Sequence, residues 1–231
     1  MKKIFGFMMV LVLSFCLVGC GNKTVKRVGP AKVLIIGDSI SIGYKPFVKE
    51  MLKDEAIVAR PGDLDGYSVN CGPTERGVEN IDKWLGDHKW DVIHFNWGLW
   101  DLCYRHPESK VQGNRDKVNG KITATPEEYA ANLEKLVARL KQTNAKLIWG
   151  TISMVPEGEA GRFVGDDIKY NKAAEAVMKR NGVAINDIWE VTSKLDKEYF
   201  IGPGNVHYKP EGYKIIAEQV AKEIRKALKS K

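Results

Sequence analysis

The sequence predicts an α/β domain in which one parallel sheet is covered by helices on both faces. Three observations lead there: short apolar runs rich in β-branched residues recur along the chain, helical stretches separate them, and the first run is continuous rather than alternating. That run, residues 32–36 (Lys-Val-Leu-Ile-Ile), is bounded by Pro30 and Gly37 and reads as the central strand, buried on both sides. A helix is expected near 44–53, a strand at 56–59, a helix at 77–85 and a strand at 92–97. Thr125-Pro126-Glu127-Glu128 then supplies an N-cap, a first-turn proline and a capping-box glutamate. Tyr129, Leu133, Leu136, Val137 and Leu140 follow on one face of the helix it opens. Strands at 146–151 and 183–186 flank a helix over 167–181 that stops at Gly182. The last helix, 210–228, turns Tyr213, Ile216, Val220 and Ile224 inward.

In such sheets ligands bind beyond the carboxyl ends of the strands, where the strand order reverses. Ser39, residues 70–75, residues 96–101 and the loop after Thr151 all follow strand ends, so they share one rim. The connection 103–124 carries Arg105, His106, Lys110, Arg115, Lys117 and Lys121 and is too long for a plain crossover. It reads either as a lid or substrate rim, or as a disordered insertion.

The first residues form a separate unit. Lys2-Lys3, an apolar run over 4–18 and Leu17-Val18-Gly19-Cys20 make an n-region, an h-region and a small-residue cleavage site. The run is short for a membrane span. Leu-Val-Gly-Cys resembles the bacterial lipobox, which implies a leader at 1–19, lipid on Cys20, a polar tether over 20–30 and a folded domain from 31 to 231. An uncleaved anchor is the other reading of the run. Loss of Lys2 and Lys3 takes two charges from the net +7 and leaves +5, an excess that suits anionic glycans or lipid headgroups as partners, or, as the simpler reading, a solvated surface. No basic stretch is interleaved with aromatics, so nucleic acid is not an expected partner. Export implies an oxidising compartment, where Cys71 and Cys103 either pair as a disulfide or stay as two separate thiols.

Two short pieces carry the chemistry. Gly37-Asp38-Ser39 follows the central strand, where the chain turns sharply into a helix. The turn would expose the Ser39 hydroxyl and aim its amide at a developing oxyanion. His207 lies between Gly202-Pro203-Gly204-Asn205 and a proline-started helix, on a loop able to fold back over the sheet. A nucleophile and a base are the parts of a serine hydrolase. His88, His94 and His106 are scattered without metal-ligand spacing, and His94 alternates with Ile93 and Phe95 as a core residue would. There is no phosphate loop or dinucleotide fingerprint, and no metal or organic cofactor is expected.

Gly37-Asp38-Ser39 and Val206-His207-Tyr208-Lys209-Pro210-Glu211-Gly212-Tyr213 together resemble the first and last blocks of the SGNH, or GDSL-type, hydrolases, over residues 33–227. The resemblance implies a flavodoxin-like three-layer αβα sandwich with a central parallel sheet, and ester hydrolysis by Ser39 and His207. It also implies an oxyanion hole of the Ser39 amide, a second-block amide and a third-block side chain. In Asn70-Cys71-Gly72-Pro73-Thr74-Glu75 the second-block amide is Gly72 by residue type, although counting from Asn70 puts the family's glycine at Glu75. The third block reads Gly98-Leu99-Trp100-Asp101, with Trp100 where the family has asparagine; Asn96 is the competing donor. Trp97 and Trp100 read equally as a packing cluster or a platform for sugar rings. Three residues before His207, where the family has the aspartate that orients the imidazole, stands Gly204. A main-chain carbonyl or Asn205 would then hold the tautomer of a Ser-His dyad. The function expected is a lipid-anchored carbohydrate O-acetylesterase. A catalytically impaired glycan-binding relative and a lipase or lysophospholipase are the alternatives.

Overall fold

The computed structural model of the chain describes residues 29–63, 66 and 68–230. The expected leader at 1–19, the lipid-modified Cys20 and the tether up to residue 28 lie outside the described residues. Among the described residues no helix is long and apolar enough to cross a membrane.

The elements run β1 (Ala31–Ile36), α1 (Ser39–Met51), β2 (Ala56–Ala59), α2 (Thr74–Leu85), β3 (Val92–Phe95), β4 (Tyr104–Arg105), β5 (Lys121–Ile122), α3 (Pro126–Lys141), β6 (Lys146–Gly150), α4 (Asp166–Asn181), β7 (Ala184–Asn186), α5 (Ile188–Thr192) and α6 (Pro210–Lys229). Five strands form a parallel sheet in the order β2-β1-β3-β6-β7, with Val33 beside Val92 and Val92 beside Lys146. Helices α1 and α6 pack together on one face, and α2, α3 and α4 pack in sequence on the other. This is the expected three-layer αβα sandwich. Val33 to Ile36 of β1 and all of β3 are buried, which explains why β1 reads as an unbroken apolar run.

From β1 the chain steps outward to β2 and then crosses to β3 on the other side of β1. The strand order therefore reverses between β1 and β3, and the loops after these two strands face one crevice. Ser39 opens α1 directly beyond β1, while residues 96–101 follow β3. Helix α1 begins five residues earlier than its periodicity suggests because Asp38 caps it, accepting from the Ile40 N–H at 2.9 Å.

The long connection 103–124 is ordered. Its ends pair as the antiparallel strands β4 and β5, and the Tyr104 N–H ties it to the segment before α4 by donating to the Gly161 carbonyl at 2.7 Å. Helix α3 carries the capping box read from its sequence, with Thr125 and Glu128 bonded reciprocally.

Helix α2 solves its N-terminus differently. Its cap residue is Pro73, which has no side-chain acceptor to offer, so Asp101 from the β3 loop takes the role. The Asp101 Oδ1 accepts from the Thr74 N–H at 3.0 Å and from its hydroxyl at 2.5 Å, while Oδ2 is buried with no hydrogen-bond partner. Burial pushes the Asp101 carboxyl up to about 7. The folded chain thus holds this proton to a higher pH than the unfolded chain does. Stability from this group is lost as pH rises from about 4 through 7. Asp101→Asn removes the titration, so in urea unfolding at pH 5, 6, 7 and 8 the stability of the variant minus that of the parent is expected to rise with pH. A difference that is flat or falling would overturn the assignment. Neutral His94, which burial lowers to about 4, acts in the opposite direction but cancels in that difference.

Candidate active site

The turn between β1 and α1 is held from below by Arg60. This buried guanidinium donates to the Gly37 carbonyl at 2.8 Å, to the Val69 carbonyl at 2.9 Å and to the Ser41 hydroxyl at 2.5 Å. The Ser41 hydroxyl in turn donates to the Asp38 carbonyl at 2.7 Å. A side chain at Gly37 would meet Ser41 Oγ at 2.7 Å and the Asn96 carbonyl at 3.1 Å, so glycine is needed for close approach here. Ser39 is the first residue of α1, and its N–H has no partner within the helix; a helix N-terminus favours negative charge.

His207 arrives from the far end of the chain on a clamped loop. Phe200 and Tyr208 form a bridge, the Ile201 N–H donates to the His207 carbonyl at 3.1 Å, and the Lys209 N–H donates to the Tyr199 carbonyl at 2.7 Å. The imidazole Nε2 lies 2.8 Å from Ser39 Oγ. Its Nδ1 lies 2.8 Å from the Asn205 Oδ1, which also accepts from the His207 backbone N–H at 3.0 Å. That backbone donor fixes which end of the amide faces the ring: the carbonyl oxygen does, so Nδ1 carries the hydrogen and Nε2 is free to accept from Ser39. A hydroxyl, an imidazole and an orienting oxygen thus stand in line, the geometry of nucleophile, base and orienter. Burial, followed by the charges of Arg162 and Arg115, holds the His207 imidazole below its ordinary value.

The missing aspartate has a steric cause. Gly204 sits at φ +63°, and a Cβ there would fall 2.4 Å from the Gly158 carbonyl oxygen. The loop after β6 occupies the space an acid would need.

The expected oxyanion residues fare unequally. Gly72 is corrected: its N–H donates to the Asn70 Oδ1 at 3.1 Å, and it does not line the cavity at Ser39. Asn96 is also corrected, because its amide donates to the Gly150 carbonyl at 2.7 Å and the Thr151 carbonyl at 3.0 Å, tying β3 to β6. Trp100 does line the cavity, with the Arg105 guanidinium 4.4 Å from its ring centre. Trp97 is a core residue, packed near Trp84 and Phe95. Cys71 and Cys103 are two separate, buried thiols, so the disulfide does not form. Burial pushes the Cys71 thiol up to about 11 and raises that of Cys103, which leaves both in the thiol form.

Asn70 is the donor that sequence reading passed over. It lines the cavity with Ser39 and His207, and because Gly72 holds its Oδ1, its Nδ2 is the end available to a ligand. Its place beside the nucleophile depends on the Val69 carbonyl's bond to Arg60, a contact no local pattern encodes. The cavity itself holds about 200 Å³ and is further lined by Leu99, Arg105, Arg115 and Arg162. Among the described residues no group of three or more His, Cys, Asp or Glu side chains could hold a metal ion.

Comparison with known proteins agrees with this architecture. A sequence model of the GDSL-like lipase/acylhydrolase family matches residues 35–215. No curated protein matches the chain. Among solved structures, a lipase/acylhydrolase from Enterococcus faecalis superposes with a TM-score of 0.66 at 18% identity, covering 85% of this chain and 96% of that one. An acetyl xylan esterase, AlAXEase, gives 0.64 at 16% identity over 84% and 99% of the two chains. Axe2, an acetylxylan esterase from Geobacillus stearothermophilus, gives 0.64 at 17% identity over 84% and 94%. The match to the family covers both the turn that carries Ser39 and the loop that carries His207, and the chain belongs to the GDSL-like lipase/acylhydrolase family.

Proposed function

We propose that the protein is a serine esterase that removes acetyl or another short acyl group from a carbohydrate. The observation that carries this reading is the line Ser39 Oγ, His207 and Asn205, with 2.8 Å at each step. Ser39 attacks the ester carbonyl while His207 Nε2 takes the hydroxyl proton, which it returns to the leaving alcohol oxygen. Water then attacks the acyl-serine with His207 again as base, freeing the acid and restoring Ser39. The Ser39 N–H and the Asn70 Nδ2 serve the oxyanion. Asn205 positions the base without touching the substrate.

Short acyl groups are favoured by the small, charged cavity at Ser39. The apolar groove formed by Met154, Val155, Phe200, Ile201 and their neighbours would suit a longer chain, but neither Ser39 nor His207 lines it. The carbohydrate part draws on the acetyl xylan esterases with this fold. Export and lipidation at Cys20 rest on the Leu17-Val18-Gly19-Cys20 pattern.

A fluorophosphonate probe is expected to label Ser39, with labelling absent in Ser39→Ala and sharply reduced in His207→Ala. Hydrolysis of 4-nitrophenyl esters is expected to fall from acetate to octanoate. An unlabelled parent would point to a glycan-binding relative, and a rise toward octanoate to a lipase.

Asn205→Ala is expected to lower kcat by about 10³-fold, as removal of an orienting group does, while Asn205→Asp restores activity because a carboxylate offers the same acceptor. Gly204→Asp is expected to lose stability by roughly 2–4 kcal/mol and to gain no activity, since its side chain meets Gly158 at positive φ. Gains in kcat with Gly204→Asp would show that Asn205 is not the orienting group. In a bacterial host, the full chain is expected to partition with membranes and incorporate labelled palmitate. Cys20→Ala should abolish both, and unchanged partition would indicate an uncleaved anchor instead.

A further inference from the structure

Three arginines surround the nucleophile. Arg105 ends β4, Arg115 comes from the β4–β5 connection and Arg162 from the segment before α4, and all line the cavity that contains Ser39 and His207. They are not a solvated face: the side chains of Arg115 and Arg162 are only 15% and 5% exposed. One carboxylate serves two of them. The Oε1 of fully buried Glu159 accepts from Arg115 at 2.7 Å and from Arg162 at 2.8 Å, while its Oε2 accepts from the Gly161 N–H at 2.7 Å. Among the described residues Arg105 forms no ion pair; it stacks on Trp100 and donates to the Gly113 carbonyl.

The other charges nearby do not settle the account. Asp38 also lines the cavity, but its carboxylate caps α1, burial raises its pKa, and the charges of Arg162 and Arg60 both act on it. Even with both acids ionised, four guanidiniums face two carboxylates. Burial lowers the Arg105 guanidinium from its ordinary value, and the charges of Arg162 and Arg115 add to this against the opposing pull of Glu159. Burial and then the charges of Arg162 and Arg115 also disfavour the imidazolium that His207 must become when it takes the Ser39 proton; Glu159 opposes this in part, and Asn205, being neutral, adds nothing. A neutral ester would leave that penalty in place. An anion lying among the guanidiniums would remove it, and arginines already fixed by protein contacts bind carboxylates and phosphates at low entropic cost.

We infer that the substrate carries an anionic group, such as a carboxylate or sulfate, beside its scissile ester, where Arg105, Arg115 and Arg162 receive it. This rests on the esterase reading above. The charge sits either on the alcohol side, as in an acetylated acidic sugar, or on the acyl side, as in a monoester of a dicarboxylic acid.

Two matched pairs separate these sources: O-acetyl methyl glucuronide against O-acetyl methyl glucoside, and phenyl monosuccinate against phenyl butyrate, with spontaneous hydrolysis subtracted. In the parent protein kcat/KM is expected to be at least about tenfold higher for the anionic member of one pair, and that ratio to shrink as salt rises. The pair that shows it tells which side bears the charge. Arg105→Gln should reduce the ratio, and Arg105→Lys should retain part of it. Equal rates within both pairs, or a ratio indifferent to salt, overturn the inference while turnover of neutral esters leaves the esterase standing. If neither ester hydrolysis nor fluorophosphonate labelling occurs, the esterase reading fails and this one falls with it.

Discussion

The buried guanidinium of Arg60 holds together the two loops on which the site depends. It donates to the Gly37 carbonyl at the end of the β1 turn and to the Val69 carbonyl beside Asn70, two main-chain acceptors of the interior. The Cys71 N–H reinforces the joint by donating to the Gly37 carbonyl at 3.1 Å. Because Ser39 and Asn70 sit on either side of this joint, the proposed nucleophile and amide donor are positioned by one contact set rather than by two independent loops. Burying an arginine is costly, and three acceptors at its two terminal nitrogens offset part of that cost while its Nε stays unpartnered.

The proposed base, His207, is positioned by different means. The loop before α6 is short and closed on itself by backbone bonds and by the Phe200–Tyr208 ring pair, whose centres lie 4.8 Å apart. His207 therefore needs little from its neighbours except a fixed tautomer. Asn205 supplies this from two residues away through an oxygen already held by the His207 backbone N–H. An orienting group so close in sequence moves with the base, which makes the pair robust to shifts of the sheet beneath.

What the sequence disclosed and what it hid follow from the range of the interactions. The strands at 32–36 and 56–59 and the capping box of α3 are local patterns, and they were legible in the residues themselves. Ser39 and His207 were legible through their turns. The start of α1 was misplaced because a single cap outranked periodicity, and Asn96 read as a donor to the site because its bonds to β6 span more than fifty residues. The role of the 103–124 connection was undecidable for the same reason: its arginines acquire meaning only once Glu159 is brought between Arg115 and Arg162.

Two departures from the family pattern have a common consequence. Trp100, where the family has a donor asparagine, provides the ring over which Arg105 lies. Gly204, where the family has the orienting acid, lets Gly158 and Glu159 come close: a Cβ at Gly204 would lie 2.4 Å from the Gly158 carbonyl and 3.2 Å from the Glu159 nitrogen. Glu159 is the residue that organises Arg115 and Arg162. Loss of an acid in one place and of an amide in another would each weaken a hydrolase acting on a neutral ester. Here both substitutions build the same positively charged pocket, so these two departures read more simply as a change in what the nucleophile is offered than as decay of the catalyst.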